Sequence, residues 1–437
     1  MDTTLIKRIA LLASVSLAAV ITVAVTPASA QDSGALLDAL VRKGILTDQE
    51  AEEIRVDLTK EAHTAMLSTV SGGKSTTALA ISGRVQVQYA ALGNSDSGKN
   101  DNDGFALRRI YLGASAKLGP NWSAAVNYDF AGDGGFDKAF ITWSGDFIDQ
   151  NLDLTFGLRK VALGYEEFTS SGSLKAIERS AVTRYFVEEN NGRRLGAASY
   201  RLGAFSDFNP DAAAGKSTGI FYGAAITNAE RVDTGGNSGN DIIDDSDYTD
   251  ASPAFWINGG YSGKFSGGSY TVGAALGYLP DQGGFASAAP FGRGTGGDLA
   301  LGSLYGTTSI GRFTLAGEIL AAKVENGARN GDDASPWGFW IQPSYMLTDK
   351  LELVLRYSHV DTDGRGITAS DGIKYGPATG RRDKMEEYYA GLNYYFQGND
   401  VKLQFGYVGG KTSGDFAGAS GQDETINGIR TQLQVNF

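Results

Sequence analysis

Along much of this chain apolar and polar residues alternate one for one, and the closing segment shows the pattern most clearly. From Ile429 onward, Ile429, Thr431, Leu433, Val435 and Phe437 share one parity, and Arg430, Gln432, Gln434 and Asn436 share the other. Successive side chains of a strand point to opposite faces, so this segment is a strand that is apolar on one side and polar on the other. Sixteen segments of this kind follow one another after residue 79. They begin with 79–92, 105–118 and 121–131, the sixth is 195–206, and the last two are 399–411 and 424–437. The gaps between them alternate in length. Gly119-Pro120, Ile310-Gly311, Thr348-Asp349 and Gln397-Gly398 are two-residue turns, whereas 93–104, 162–194, 229–252, 280–297, 362–382 and 412–423 are long. An even number of amphipathic strands with short turns on one side and long loops on the other predicts an all-β fold, a 16-stranded antiparallel transmembrane β-barrel with both termini in the periplasm. A barrel of that size encloses water rather than a side-chain core.

The first 74 residues read differently. Lys7 and Arg8 precede an apolar run, Ile9 to Val25, and Ala28-Ser29-Ala30 forms a small-residue cleavage site, so residues 1–30 read as a secretory signal peptide. In 31–74, Leu36, Leu37, Leu40 and Val41 recur at helical spacing, and Thr47 to Glu50 reads as a capping box opening a second helix with Ala51, Ile54 and Leu58 on one face. The expectation is a short N-terminal periplasmic helical or coiled-coil segment and linker, followed by the barrel over 75–437.

Charge changes the picture by where it sits. The chain carries 38 basic and 50 acidic residues; removal of the leader deletes Lys7, Arg8 and Asp2 and leaves 36 and 49. That balance argues against nucleic acid as a partner. Register, however, assigns a basic set to the interior, because a one-residue slip would exchange the faces. By parity Arg84, Arg109, Lys117, Arg159, Arg356, Lys402 and Arg430 point inward, joined by Lys138 and Arg201, against inward Asp129, Asp153, Glu318, Glu352 and Glu387. The acids concentrate in long loops, as in 229–251. A basic lumen attracts anions, and arginine grips oxyanions bidentately.

Other chemistry is sparse. Asp101-Asn-Asp103-Gly104 has the opening spacing of a calcium loop without the downstream ligands and reads as a turn. The two histidines are His63 and His359, and Ser358-His359 on a strand face oppositely and cannot act as nucleophile and base. No metal or cofactor is expected, nor an enzyme.

Phe105 to Lys117, Trp122 to Phe130, Gly157 to Gly164, Glu178-Arg179-Ser180 and the segment Leu36 to Leu58 together resemble the phosphate-selective porin O and P family. The resemblance implies a trimeric outer-membrane channel in which the loop 162–194 folds inward. It also implies that Arg109, Arg159, Lys160 and Arg179 stand at or near the constriction. The partners it brings are small anions, phosphate among them, outer-membrane lipid and lipopolysaccharide, and the barrel-assembly machinery, which would read the last strand ending in Phe437. Two other readings stay open: a general or sugar-type channel, for which Trp256, Trp340, Tyr389 and Tyr395 on the inward parity would form the track, and a structural barrel with little conductance.

Overall fold

In the computed structural model the described residues are 76–94, 102–132, 134–188, 194–229, 252–285, 297–377, 379–416 and 423–437. The expected signal peptide, the expected helical segment and most of the acidic loop 229–252 lie outside them. The remainder forms sixteen strands. They are β1 (Thr76–Asn94), β2 (Asn102–Leu118), β3 (Trp122–Asp129), β4 (Gly135–Phe147), β5 (Gln150–Lys160), β6 (Tyr200–Phe208), β7 (Gly219–Asn228) and β8 (Pro253–Phe265), then β9 (Gly268–Leu279), β10 (Leu299–Ile310), β11 (Phe313–Val324), β12 (Trp337–Met346), β13 (Leu351–Asp361), β14 (Lys384–Gln397), β15 (Val401–Ser413) and β16 (Glu424–Asn436). Every strand pairs with its sequence neighbours, all antiparallel, and β16 returns to β1 to close the barrel.

The alternation places the faces as the sequence predicts. In β16, Ile429, Leu433 and Val435 are exposed on the outside, while Arg430, Gln432 and Gln434 are buried inside. Arg430 pairs in register with Ala90, Gln432 with Gln88 and Gln434 with Gln86 across the closing seam. The exterior is a band of exposed Ile, Leu and Val, such as Ile81, Val126, Ile257 and Ile319. At the short-turn end Trp122, Phe147, Phe265, Tyr345, Phe396 and Phe437 ring it, and Phe105, Phe255, Tyr278 and Trp337 stand near the other. Aromatic girdles at both edges of an apolar band match the two interfaces of a bilayer.

Most boundaries shift by a few residues from the sequence reading, and two of the shifts bear on the interior. Strand β6 starts at Tyr200 rather than 195, because the long connection before it is held inside the barrel. Asn102 to Gly104 belong to β2 rather than to a turn, and the Asn102 side chain donates to the carbonyls of Tyr375 and Gly376, each at 3.2 Å.

Two register shifts matter for the interior. Between β1 and β2, Gln86 pairs with Arg109 but Val87 pairs with Leu107, leaving Arg108 as the extra residue. Between β3 and β4, Asn127 pairs with Lys138 but Tyr128 pairs with Phe136, leaving Asp137 extra. A bulge of this kind re-aims one side chain. It brings Arg108 and Asp137 to the same face as their neighbours Arg109 and Lys138.

Candidate functional site: an interior crossed by one loop

The connection from β5 to β6 is the element that shapes the lumen. It carries α1 (Tyr165–Phe168) and α2 (Ala181–Thr183), which runs on into a π-helical turn, Arg184–Glu188. It reaches β13, eight places from β5 in a ring of sixteen strands, so it crosses to the far wall. Ala181, Val182, Tyr185, Phe186 and Val187 are buried there with Val360, Ile367, Ile373 and Met385. Each such side chain contributes about 1.5–3 kcal/mol when fully buried.

Polar contacts fix the crossing. The free N–H groups at the start of a helix need acceptors, and Glu318 of β11 accepts from the Tyr165 N–H at 2.7 Å and the Glu166 N–H at 3.4 Å. Glu387 of β14 accepts from the Ala181 N–H at 2.8 Å. Arg356 of β13 donates to Glu166 at 2.9 Å, to the Glu178 carbonyl at 2.9 Å and to Glu387 at 2.7 Å. Lys175 reaches Glu352 at 2.5 Å, and Arg108 grips both oxygens of Glu178 at 2.6 and 3.0 Å. On the closing side Lys402 donates to the Leu174 carbonyl at 2.8 Å and Gln434 to the Gly172 carbonyl at 3.0 Å. Within the loop, Arg179 pairs with Glu167 at 2.7 Å and Arg184 with Glu188 at 2.7 Å.

These contacts set the protonation of the loop acids. Burial alone would raise the Glu178 carboxyl, but Arg108, Arg109 and Arg430 hold it far below the usual carboxylate range. Burial acts on Glu188 in the same sense and is overcome by Arg184, Arg179 and Arg108.

The eleven cations expected on the wall therefore fall into three groups. Arg109, Arg179, Arg201, Arg356, Lys402 and Arg430 are buried, none more than 4% exposed. Parity places the five on strands inward correctly, but parity does not say what covers a residue. Arg201 donates to the carbonyls of Ala229 and Gly196, Arg430 to that of Lys374, and Arg109 to Gln86. As a correction to the expected anion-lining set, these six side chains are packed into the interior rather than open to a passing solute. Lys117 sits at the short-turn end of β2, exposed. The third group, Arg84, Lys138, Arg159 and Lys160, lines an open cavity of about 620 Å³ between the β1–β6 wall and the loop residues Phe168, Ser170 and Ser171.

Within that cavity the four cations differ. Arg159 pairs with Asp207 at 2.5 Å and lies over the Phe205 ring, and Lys160 pairs with Glu167 at 2.6 Å. Arg84 donates to Asn436 at 2.8 Å and to the Ser171 hydroxyl at 2.6 Å, with no carboxylate partner among the described residues. Lys138 has no hydrogen-bond or ion-pair partner among the described residues. Asp137 accepts from Asn127 at 3.1 Å and from the Tyr200 hydroxyl. The other acid on the wall, Asp153, stands six residues from Arg159 on β5, about 20 Å along the strand toward the short turns.

The aromatic track expected for a sugar channel is present by parity but covered. Trp256, Trp340 and Tyr389 are buried, and the Tyr395 hydroxyl donates to Glu352 at 2.6 Å. Among the described residues no group of His, Cys, Asp and Glu could hold a metal ion.

A closed barrel with an apolar exterior, a loop folded across it and an open cavity beside that loop are the parts of a diffusion channel. The sequence pattern of the phosphate-selective porin O and P family matches residues 79–230 and 294–437. The chain belongs to that family. This porin is therefore an outer-membrane channel for the diffusion of solutes, and not an enzyme. No curated protein matches its sequence. Among solved structures, the porin is similar to the outer membrane channel DcaP of Acinetobacter baumannii, with 12% identity, a TM-score of 0.51, and coverage of 83% of this chain and 99% of that one. It is also similar to in-vitro folded OmpT, an outer membrane protein of Vibrio cholerae, with 12% identity, a TM-score of 0.49, and coverage of 84% and 100%. At such identity the first likeness shows the porin fold alone.

Proposed function

We propose that this porin passes small anions, phosphate among them, by passive diffusion through an off-centre path between the β1–β6 wall and the crossing loop. The observation that carries the reading is the cation belt where Ser170, Ser171 and Phe168 narrow that path. Arg84, Lys138, Arg159 and Lys160 stand there with Asp137, and Asp153 lies well below; Asp207 pairs with Arg159 and Glu167 with Lys160. Two of the four, Arg84 and Lys138, form no ion pair among the described residues, and the neighbouring Asp137 offsets their charge only in part. In a narrow lumen the remaining charge sets the sign of the permeant ion.

Short turns at one end and long loops at the other support an orientation with the turns and both termini in the periplasm. Residues 1–30 then act as a removed signal peptide and 31–74 as a periplasmic helical segment. The family resemblance supports a homotrimer set in outer-membrane lipid and lipopolysaccharide and inserted by the barrel-assembly machinery through the strand ending at Phe437.

The test is the reversal potential of single channels in a planar bilayer under a KCl gradient, followed by addition of phosphate. Anion selectivity and a chloride current reduced by phosphate are the expected result. A cation-selective or unselective channel leaves a general porin, and an absence of conductance removes the channel reading.

A further inference from the structure

The cavity wall carries rings as well as charge. Tyr111 of β2, Phe140 of β4, Tyr200 of β6 and Phe168 of the loop all line it. Phe168 is the informative one. Its neighbours Glu166 and Glu167 are buried, yet 46% of Phe168 remains exposed inside the barrel. Leaving apolar surface in water forgoes about 25 cal/mol for each Å² that burial would remove. A ring held this way on an anchored helix is a surface available to a solute.

The cations are arranged around the rings. The Arg84 guanidinium lies 5.4 Å from the Tyr111 ring centre, and Lys160 Nζ lies 4.9 Å from that of Tyr200. Lys138 and Phe140 are two residues apart on β4, and both line the cavity, so an unpartnered ammonium and an aromatic face stand side by side. Beside them, the Asp137 carboxylate faces any second negative charge a solute brings. The volume of about 620 Å³ falls among ordinary small-molecule sites.

We propose that the cavity is a binding station for aromatic monocarboxylates, a flat apolar ring bearing one negative charge. The carboxylate meets Lys138 and Arg84, and the ring packs on Phe168 and Phe140. This deepens the anion-channel reading and rests on it.

The experiment compares benzoate, acetate and phosphate as blockers of chloride current through single channels of the full porin at neutral pH, with the reversal potential recorded in the same bilayers. Benzoate is expected to block at about tenfold lower concentration than acetate or phosphate, the scale of one added ring contact. Phe168→Ala should bring benzoate to the acetate level, whereas Phe168→Tyr should keep the preference. Equal block by benzoate and acetate in an anion-selective channel overturns the ring site and leaves the anion channel standing. A benzoate preference that survives Phe168→Ala also overturns it. A reversal potential that is not anion-selective removes both readings together.

Discussion

Arg356, on the wall of the barrel, donates at 2.9 Å to Glu166, a residue of the loop that enters from the opposite side. Both are buried, and the same guanidinium also holds Glu387 at 2.7 Å. Removing one member of such a group leaves the others charged and buried, which costs about 3–5 kcal/mol. Arg356→Ala is therefore expected to free the loop from the far wall. Single channels of the variant should show a larger and noisier conductance, and the folded band in detergent gels should melt at lower temperature.

Lys138 offers the opposite case, because nothing in the described structure depends on it. Lys138→Gln should leave the melting temperature unchanged and weaken anion selectivity roughly two- to five-fold. That is the scale of one unit charge at about 4 Å in water, about 1 kcal/mol. The reversal potential under a salt gradient reads it directly. A variant with unchanged selectivity places the ion path elsewhere.

Lys402 has the same charge and the same inward parity, yet the expected phenotype is different. Its ammonium is fully buried against the Leu174 carbonyl. Lys402→Met should leave selectivity and phosphate block as they are and cost about 1 kcal/mol, because the Leu174 carbonyl keeps only the long 3.4 Å bond from Gln404. Thermal melting separates it from Lys138→Gln.

The loop acids predict the response to pH. Glu178 and Glu188 are held below the ordinary carboxylate value of 4.5. A carboxyl depressed in the folded state contributes stability that is complete above its unfolded value and lost as pH falls through its folded value. The contribution of these two acids to loop packing is thus expected to be constant from about pH 8 to about pH 5 and to be lost only well below pH 4.5. Conductance traces over that range check this. Glu178→Gln should remove the Glu178 share of that acid-side dependence, leaving that of Glu188, and destabilise the loop at neutral pH.

Gly428 tests the closing seam. A Cβ at this position would lie 2.0 Å from the Ala91 carbonyl oxygen and 2.8 Å from the Leu92 Cα, both backbone atoms of β1 that cannot swing aside. Gly428→Ala should cost about 1–3 kcal/mol by overpacking, read as a lower melting temperature with ion selectivity unchanged.

The barrel itself was legible because its signal is periodic. Ile429, Leu433 and Val435 fall outside and Arg430, Gln432 and Gln434 inside, as alternation requires, and all sixteen strands lie close to their expected places. Arg108 and Asp137 escaped because strict alternation cannot turn two consecutive residues to the same face, and a bulge does so without a residue type that announces it. The site was harder to read for another reason. Parity puts Arg356 and Lys402 inside, but whether an inward residue meets water or protein depends here on a loop more than 160 residues away in sequence. Glu387 bonds Ala181 across 206 positions and Gln434 bonds Gly172 across 262. Phe168 likewise carries no mark in the sequence. Only its placement on an anchored helix beside open space gives it a role.

The same long separations order the assembly of the molecule. Arg84 of β1 and Arg108 of β2 reach the β5–β6 loop from strands made before it, but many of the acceptors and donors that seat it come from β11, β13, β14, β15 and β16, strands made long after the loop itself. Contacts between distant parts of a chain form late, after the closure of the intervening segment has been achieved. The loop is therefore only partly seated until those strands are in place, and the narrow path takes its final form once β16 has met β1.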